Sequence, residues 1–385
     1  MAFLDSARAL MLLLGIPFHA SEIYRLSGGA LITSPERSFA ATLTGCAVHV
    51  FRMPAFFLLA GFFASMMLAR RGARDWLLDR CLRLGIPLAF TTLAFGWLEV
   101  SIARAHRDGI GLLEAVSLTW HTSPLGWTHH RWFLFVLLLH CLTAVTLQRY
   151  VPANGALARA AVRGFDVTTR GTRGTLAFAA LLVVLPFVIA GIGTLLGSHG
   201  LGIGLDGAAP YENYYLHFAI FFGYGYALHR IDGDFGRLMA FDAVDRVLAG
   251  LSIGVYVLTY DRFHVATGVP AASVQDVSLL LGRTGVGLLA GFYATRLFFL
   301  GAKRYLDIEG PIITRLVEGS LCIYLVHEVF VLALGAWFTG VRLPPMVELV
   351  LIVVVTLAAS LGTFELVRRS RWLSVALDGR WPGRR

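Results

Sequence analysis

The sequence predicts an all-α fold, a polytopic transmembrane helix bundle of about ten spans, and three observations predict it. Hydrophobic residues make up 57% of the 385-residue chain and charged residues only 15%, with a mean hydropathy of +0.69. A soluble domain usually carries about 25% charged residues. The apolar stretches run unbroken over about 20 residues, the length a helix needs to cross a bilayer, and lack the alternation of barrel strands. The basic residues gather between those stretches, unevenly on the two sides.

Taken in order, the spans cover roughly residues 4–24, 40–68, 84–103, 131–149, 174–197, 211–229, 246–263, 274–300, 316–338 and 346–367. The second span holds Pro54 and Gly61 and is expected to be broken or tilted. If the spans alternate, loops 69–83, 149–173, 230–246 and 301–315 and the tail 368–385 share one side, with 22 basic residues. The other side has Arg25, Arg37, Arg104, Arg107, Arg262 and Arg342. Basic loops stay in the cytoplasm, so both termini are expected there, in a bacterial inner membrane. The net charge of +9 is almost wholly arginine, Lys303 being the sole lysine. Arginines at span ends point to orientation and anionic lipid, not to nucleic acid. Cys46, Cys81, Cys141 and Cys322 have no CxxC spacing and read as small buried residues. The first span lacks a basic leader and a small-x-small cleavage site, so it reads as a retained span, not a signal peptide. The whole chain reads as a single integral-membrane domain with a short basic tail.

The first span carries the strongest chemical signal. Arg8 and His19 lie eleven residues apart, close to three helical turns, so they share one face about 16 Å from end to end. Ionisable groups inside a span mark a functional face by default; a snorkelling arginine and a paired core histidine are the competing account. Glu22, three residues beyond His19, is a candidate carboxylate partner for the imidazole, or a solvated helix end. Arg52 lies near the outer start of the second span, and His130, Arg131 and Trp132 lie at the outer start of the fourth. Ser320, Tyr324 and His327 share one face of the ninth span. Loop 104–130 holds Trp120, His121, Trp127, His129 and His130; the tryptophans suit interface anchors or platforms for sugar rings. No Walker A, GxSxG or HExxH motif appears in the structural context that gives it its chemistry. Without an HxxxH pair or a Cys/His cluster, no metal is expected at His19, His130 or His327.

These motifs together resemble the membrane-bound acyltransferase family 3. The carriers are LDSARALMLLLGIPFHASEIY with ten residues between its Arg and His, and Phe51-Arg52-Met53 with Phe56-Phe57 and Gly61. Arg80-x-x-Arg83-x-Gly85-Ile86-Pro87, His130-x-Trp132-Phe133-Leu134 and Ser320-x-x-Ile323-Tyr324-Leu325-Val326-His327 follow in order. The wording is closer still to the family's periplasmic glucan succinyltransferase subgroup. It is dense in the first ninety residues and around Ser320–His327, and sparse between Tyr150 and Glu309. The resemblance implies His19 as general base, Arg8 as its partner arginine facing an acyl-CoA, and Arg52, Arg80 and Arg83 as further donor-binding positions. It places His130, Trp132 and Ser320 toward the acceptor, and Tyr324 and His327 beside the chemistry; Trp127, read from the loop composition, is a further candidate on the acceptor side. Two positions depart from the family pattern. Ala60 stands where a Ser often precedes Gly61, and Arg131 stands where Leu is more frequent.

The resulting expectation is an O-acyltransferase that moves an acyl group, succinyl by the subgroup, from cytoplasmic acyl-CoA to hydroxyls of a periplasmic glucan. Acyl-CoA is a co-substrate, with succinyl-CoA the species implied; no permanently bound cofactor and no nucleic-acid partner are expected. Membrane lipid is a partner, and a homodimer is allowed. Acylation of another surface glycan remains an alternative. So does a transporter or flippase for a polar lipid or glycan, although the sequence shows no internal repeat of the kind many transporters carry.

Overall fold

The computed structural model describes residues 2–28, 31–122, 124–150, 155–168, 171–198, 210–231, 235–264, 274–341 and 343–379. The predicted basic positions Arg170, Arg342, Arg380, Arg384 and Arg385 lie outside the described residues. The described chain is helical without strands. The helices are α1 (Ala2–Leu13), α2 (Gly15–Glu22), α3 (Phe39–Leu68), α4 (Ala73–Arg80), α5 (Ile86–Thr91) and α6 (Trp97–Asp108). Next come α7 (Leu112–Thr119), α8 (Trp132–Tyr150), α9 (Ala156–Thr168), α10 (Gly171–Ser198), α11 (Pro210–Ile231) and α12 (Gly236–Met239). The chain ends with α13 (Ala243–His264), α14 (Val274–Tyr305), α15 (Pro311–Phe338), α16 (Pro345–Val367) and α17 (Arg371–Asp378). Among the described residues, nine segments are long and apolar enough to cross a membrane. They match nine of the sequence-read spans, and α11 occupies the remaining stretch, 211–229. The chain is a multi-pass membrane protein.

Several elements differ from the sequence reading. Helix α3 runs unbroken through Pro54, as transmembrane helices can where local adjustments satisfy the freed carbonyl. The third span begins earlier, and Ala73–Asp108 forms one long segment in which π turns at Cys81–Gly85 and Thr92–Gly96 separate α4, α5 and α6. Arg80 and Arg83 therefore ride on helix instead of on a loop. Cys81 is exposed, while Cys46, Cys141 and Cys322 are buried as expected.

Two compact units divide the chain. The first comprises residues 1–49, 78–138 and 305–385, the second residues 50–77 and 139–304. In the first unit α15 is the axis, packed on α1, α2, α5, α6, α16 and α17. Its core joins Ile16, Ala20 and Ile23 to Ile323, Val326 and Leu332, with Ile352 and Phe364 from α16. The π turn Thr92–Gly96 packs on the short 3₁₀ segment Pro124–Arg131. Gly96 makes that approach possible, because a Cβ there would stand 2.3 Å from the carbonyl oxygen of Trp127. In the second unit α9 packs on α10 and α11, and α10 on α13. There, Gly61 of α3 and Gly225 of α11 let two backbones meet, each added Cβ falling 1.9 Å from the opposing carbonyl.

Candidate active site

The polar centre of the first unit is assembled from four helical pieces. Helices α1 and α2 are almost continuous, since Leu14 N donates to Leu10 O and Phe18 N to Leu14 O across their junction. His19 thus stays on the helical track that begins at Arg8. Helix α15 supplies Tyr324, His327 and Glu328, all buried. The 3₁₀ segment supplies His130, and α6 supplies Glu99. Glu99, His130, Arg131, His327 and Glu328 are all buried in what hydropathy marks as membrane-spanning segments. Groups this polar persist there only when they are paired.

The pairing is specific. Nδ1 of His19 lies 3.3 Å from Oε2 of Glu328, and Nε2 of His327 lies 3.7 Å from the same oxygen. The rings of His19 and His327 are centred 5.4 Å apart, His19 and His130 5.9 Å, and His130 and His327 5.0 Å. The carbonyl of Tyr324 receives His327 Nδ1 at 2.5 Å and His130 Nε2 at 3.2 Å, and the Tyr324 hydroxyl donates to the His130 carbonyl at 2.5 Å. The atoms offered by His19, His327 and Glu328 all lie within 4.8 Å of one another. That spacing lets two imidazoles and a carboxylate share a proton, and is compact enough for a single cation.

The structure places the other sequence-read residues as follows. Arg8 pairs with Asp5 at 3.3 Å and keeps 43% of its side chain exposed. Arg80 and Arg83 share the carboxylate of Asp79, at 3.4 and 3.0 Å, on the accessible side of the third span. Arg52 is buried and belongs to the second unit. Ser320 donates locally to the Val317 carbonyl at 2.9 Å, and Trp132 is half-buried at the start of α8. From the sequence, Glu22 is either a carboxylate partner for the His19 ring or a solvated helix end. It instead forms an ion pair with Arg25, and the carboxylate that meets His19 Nδ1 is that of Glu328. The reason is geometric. Glu22 sits in the last turn of α2, where Arg25 folds back on it, while α15 packs along α2 and carries Glu328 across.

Trp127 is nearly buried, donates from Nε1 to Thr122 Oγ1 at 3.0 Å and meets Trp120 edge-on. It lines a cavity of about 260 Å³ together with Arg104, Arg107, Thr122 and His129. His129 has φ 36° and ψ −127°, a backbone state rare for a residue with a Cβ. Strain of this kind collects at functional sites. Here it separates two consecutive histidines. His129 lines the cavity and His130 joins the buried cluster.

Comparison with known proteins decides the family: the acyltransferase domain of acyltransferase family 3 matches residues 1–365. The chain belongs to acyltransferase family 3. Among curated proteins this acyltransferase is 27% identical over 350 residues to the glucans biosynthesis protein C of Escherichia coli K12. The protein of the same name from strain SMS-3-5 matches it equally, and both alignments cover 88% of this chain and 83% of theirs. The O157:H7 protein of that name is similar to the same extent. No solved structure matches the acyltransferase.

Proposed function

We propose that this acyltransferase moves an acyl group, succinyl, from a cytoplasmic acyl-CoA to a hydroxyl of a periplasmic glucan, with His19 as general base. The observation that carries the proposal is the contact between His19 Nδ1 and Glu328. A carboxylate on Nδ1 fixes the ring proton there and leaves Nε2 as the basic nitrogen. In the proposed reaction, Nε2 removes the proton of the acceptor hydroxyl as its oxygen attacks the thioester carbonyl. The tetrahedral oxyanion then collapses, the C–S bond breaks, and the imidazolium returns its proton to the departing CoA thiolate. Buried N–H donors beside the ring steady the oxyanion.

The donor and acceptor assignments draw on exposure and composition. Arg8, Arg80 and Arg83 keep 43%, 32% and 47% of their side chains exposed, and a guanidinium suits the phosphates of CoA. Positive charge in the inner loops supports the inner membrane and cytoplasmic termini. The cavity lined by His129, Trp127 and two arginines offers room and donors for a sugar ring on the opposite side. The glucan acceptor and the succinyl group follow the similarity to the Escherichia coli glucans biosynthesis proteins.

The test places His19→Ala and Arg8→Ala in a strain lacking the protein and weighs its periplasmic glucans by mass spectrometry. Loss of the succinyl mass increment in both variants supports the proposal; unchanged acylation overturns it. Purified protein in detergent separates transfer from transport, because an acyltransferase consumes acyl-CoA without a second compartment.

A further inference from the structure

Arg131 is among the largest fully buried side chains of the described residues. Its Nη1 donates to both carboxylate oxygens of Glu99, at 2.9 and 2.8 Å, and its Nη2 to the Thr91 carbonyl at 3.2 Å. Both side chains of this pair are wholly inaccessible. Burying two charges carries a desolvation penalty that an apolar pair of similar volume avoids. What the ion pair adds is a set of donors with fixed direction.

One of those donors meets a histidine. Nη1 of Arg131 lies 3.4 Å from Nδ1 of His130. A guanidinium only donates, so the nitrogen facing it presents its lone pair and the ring proton sits on Nε2. The other side of the ring agrees. Nε2 lies 3.2 Å from the carbonyl oxygen of Tyr324, which only accepts. Glu99 approaches Nδ1 as well, but at 3.8 Å, beyond hydrogen-bond reach, and its nearer oxygen is held by Arg131 at 2.8 Å. The arginine thus stands between a carboxylate and an imidazole that would otherwise bond through an Nδ1 proton. The groups around His130 are Glu99 and Arg131, His129 next in the chain, His19 of α2, and Tyr324 and His327 of α15.

We propose that Glu99 and Arg131 are a positioning pair that locks His130 as the neutral Nε2–H tautomer, a hydrogen-bond donor beside His19 that does not compete for its proton. The inference deepens the reading of His19 as general base. Three imidazoles within 6 Å offer three resting places for one proton, and catalysis needs it to return from His19 to the leaving thiolate. A donor-only group on Nδ1 closes that nitrogen of His130 to protonation. It also leaves an N–H whose bond to the Tyr324 carbonyl is the longer of the two histidine side-chain bonds there, and therefore the one of that pair that yields to a developing oxyanion.

The test is ¹⁵N NMR of histidine-labelled protein in lipid nanodiscs without substrate, with His130 assigned by its loss in His130→Asn. The wild-type protein should show His130 protonated on Nε2 only. Arg131→Leu should move the proton to Nδ1, now facing Glu99. The double variant Glu99→Leu/Arg131→Leu, which leaves no buried charge unpaired, should give a mixture of tautomers. In both variants kcat for transfer from acyl-CoA should fall about 10- to 100-fold, with the donor KM unchanged. A wild-type His130 protonated on Nδ1 overturns the proposal whether or not the variants fold. So does a folded double variant that keeps the wild-type spectrum and kcat. The spectrum is read without donor or acceptor, so an error in the proposed substrates leaves this outcome intact.

Discussion

Both compact units bury an arginine against a carboxylate, and they use it differently. In the second unit Arg296 holds Asp245 through Nη1 at 2.5 Å and Nη2 at 3.0 Å. Its Nε donates to the Leu238 carbonyl at 2.9 Å, and Nη2 also reaches the Ala240 carbonyl. The guanidinium lies over the rings of Phe241, Phe292 and Tyr293, and the Tyr293 hydroxyl donates to Asp245 at 3.2 Å. Those bonds join α14 to α12, to α13 and to the turn between them, so this arginine closes a fold. In the first unit Arg131 meets a carboxylate just as closely, but it turns the same nitrogen toward an imidazole. The histidines differ in the same way. His140 of the second unit stands among the rings of Phe57, Tyr215 and Phe222, whereas His19 meets the carboxylate of Glu328. A buried ion pair alone therefore does not mark a site. One that touches a titratable ring near a second ring does.

Four measurements break or sharpen this contrast. His19→Ala should lower the transfer rate about 10³-fold or more, within the range for loss of a general base, while His140→Phe should leave it within about threefold; acyl-CoA consumption by purified protein reads both. Arg296→Leu leaves Asp245 buried without its cation and should destabilise the fold by about 3–5 kcal/mol. That appears as a lower midpoint of thermal unfolding in detergent, with kcat of the remaining folded protein unchanged. An equal loss of kcat would erase the distinction between the two arginines. Glu328→Gln keeps shape and burial but removes the charge on His19 Nδ1. Its kcat should fall about 10²-fold with little change in unfolding midpoint. The smallest effect belongs to the exposed cations. Arg80→Ala or Arg83→Ala should raise the acyl-CoA KM about tenfold at unchanged kcat, and the difference should shrink in high salt.

Much of the fold was legible in the order of residues. Apolar runs of spanning length located the segments, and the Arg8–His19 interval put both on one track of the first span. The pairings were not. Glu22 was the carboxylate visible near His19 because it lies three residues away; Glu328 was missed although it directly follows His327. Glu99 was absorbed into the apolar run of the third span, and Arg131 read as a departure from a family pattern. The signal that would have linked them is that a buried carboxylate in one span needs a cation in another. Nothing in either local stretch says which cation it is. Ser320 shares a face with Tyr324 and His327, and its hydroxyl donates within its own helix.

By itself the sequence determined that this chain crosses a membrane many times on helices, and that His19 rides a polar track in the first of them. Both follow from local properties, hydropathy over twenty residues and a period of 3.6. Tertiary structure alone decided that Glu328 meets His19, that Arg131 stands between Glu99 and His130, and that α15 is the helix on which these groups converge. Those contacts join residues up to 309 positions apart. They depend on which helices pack together, and a helix's own periodicity carries no information about its neighbours.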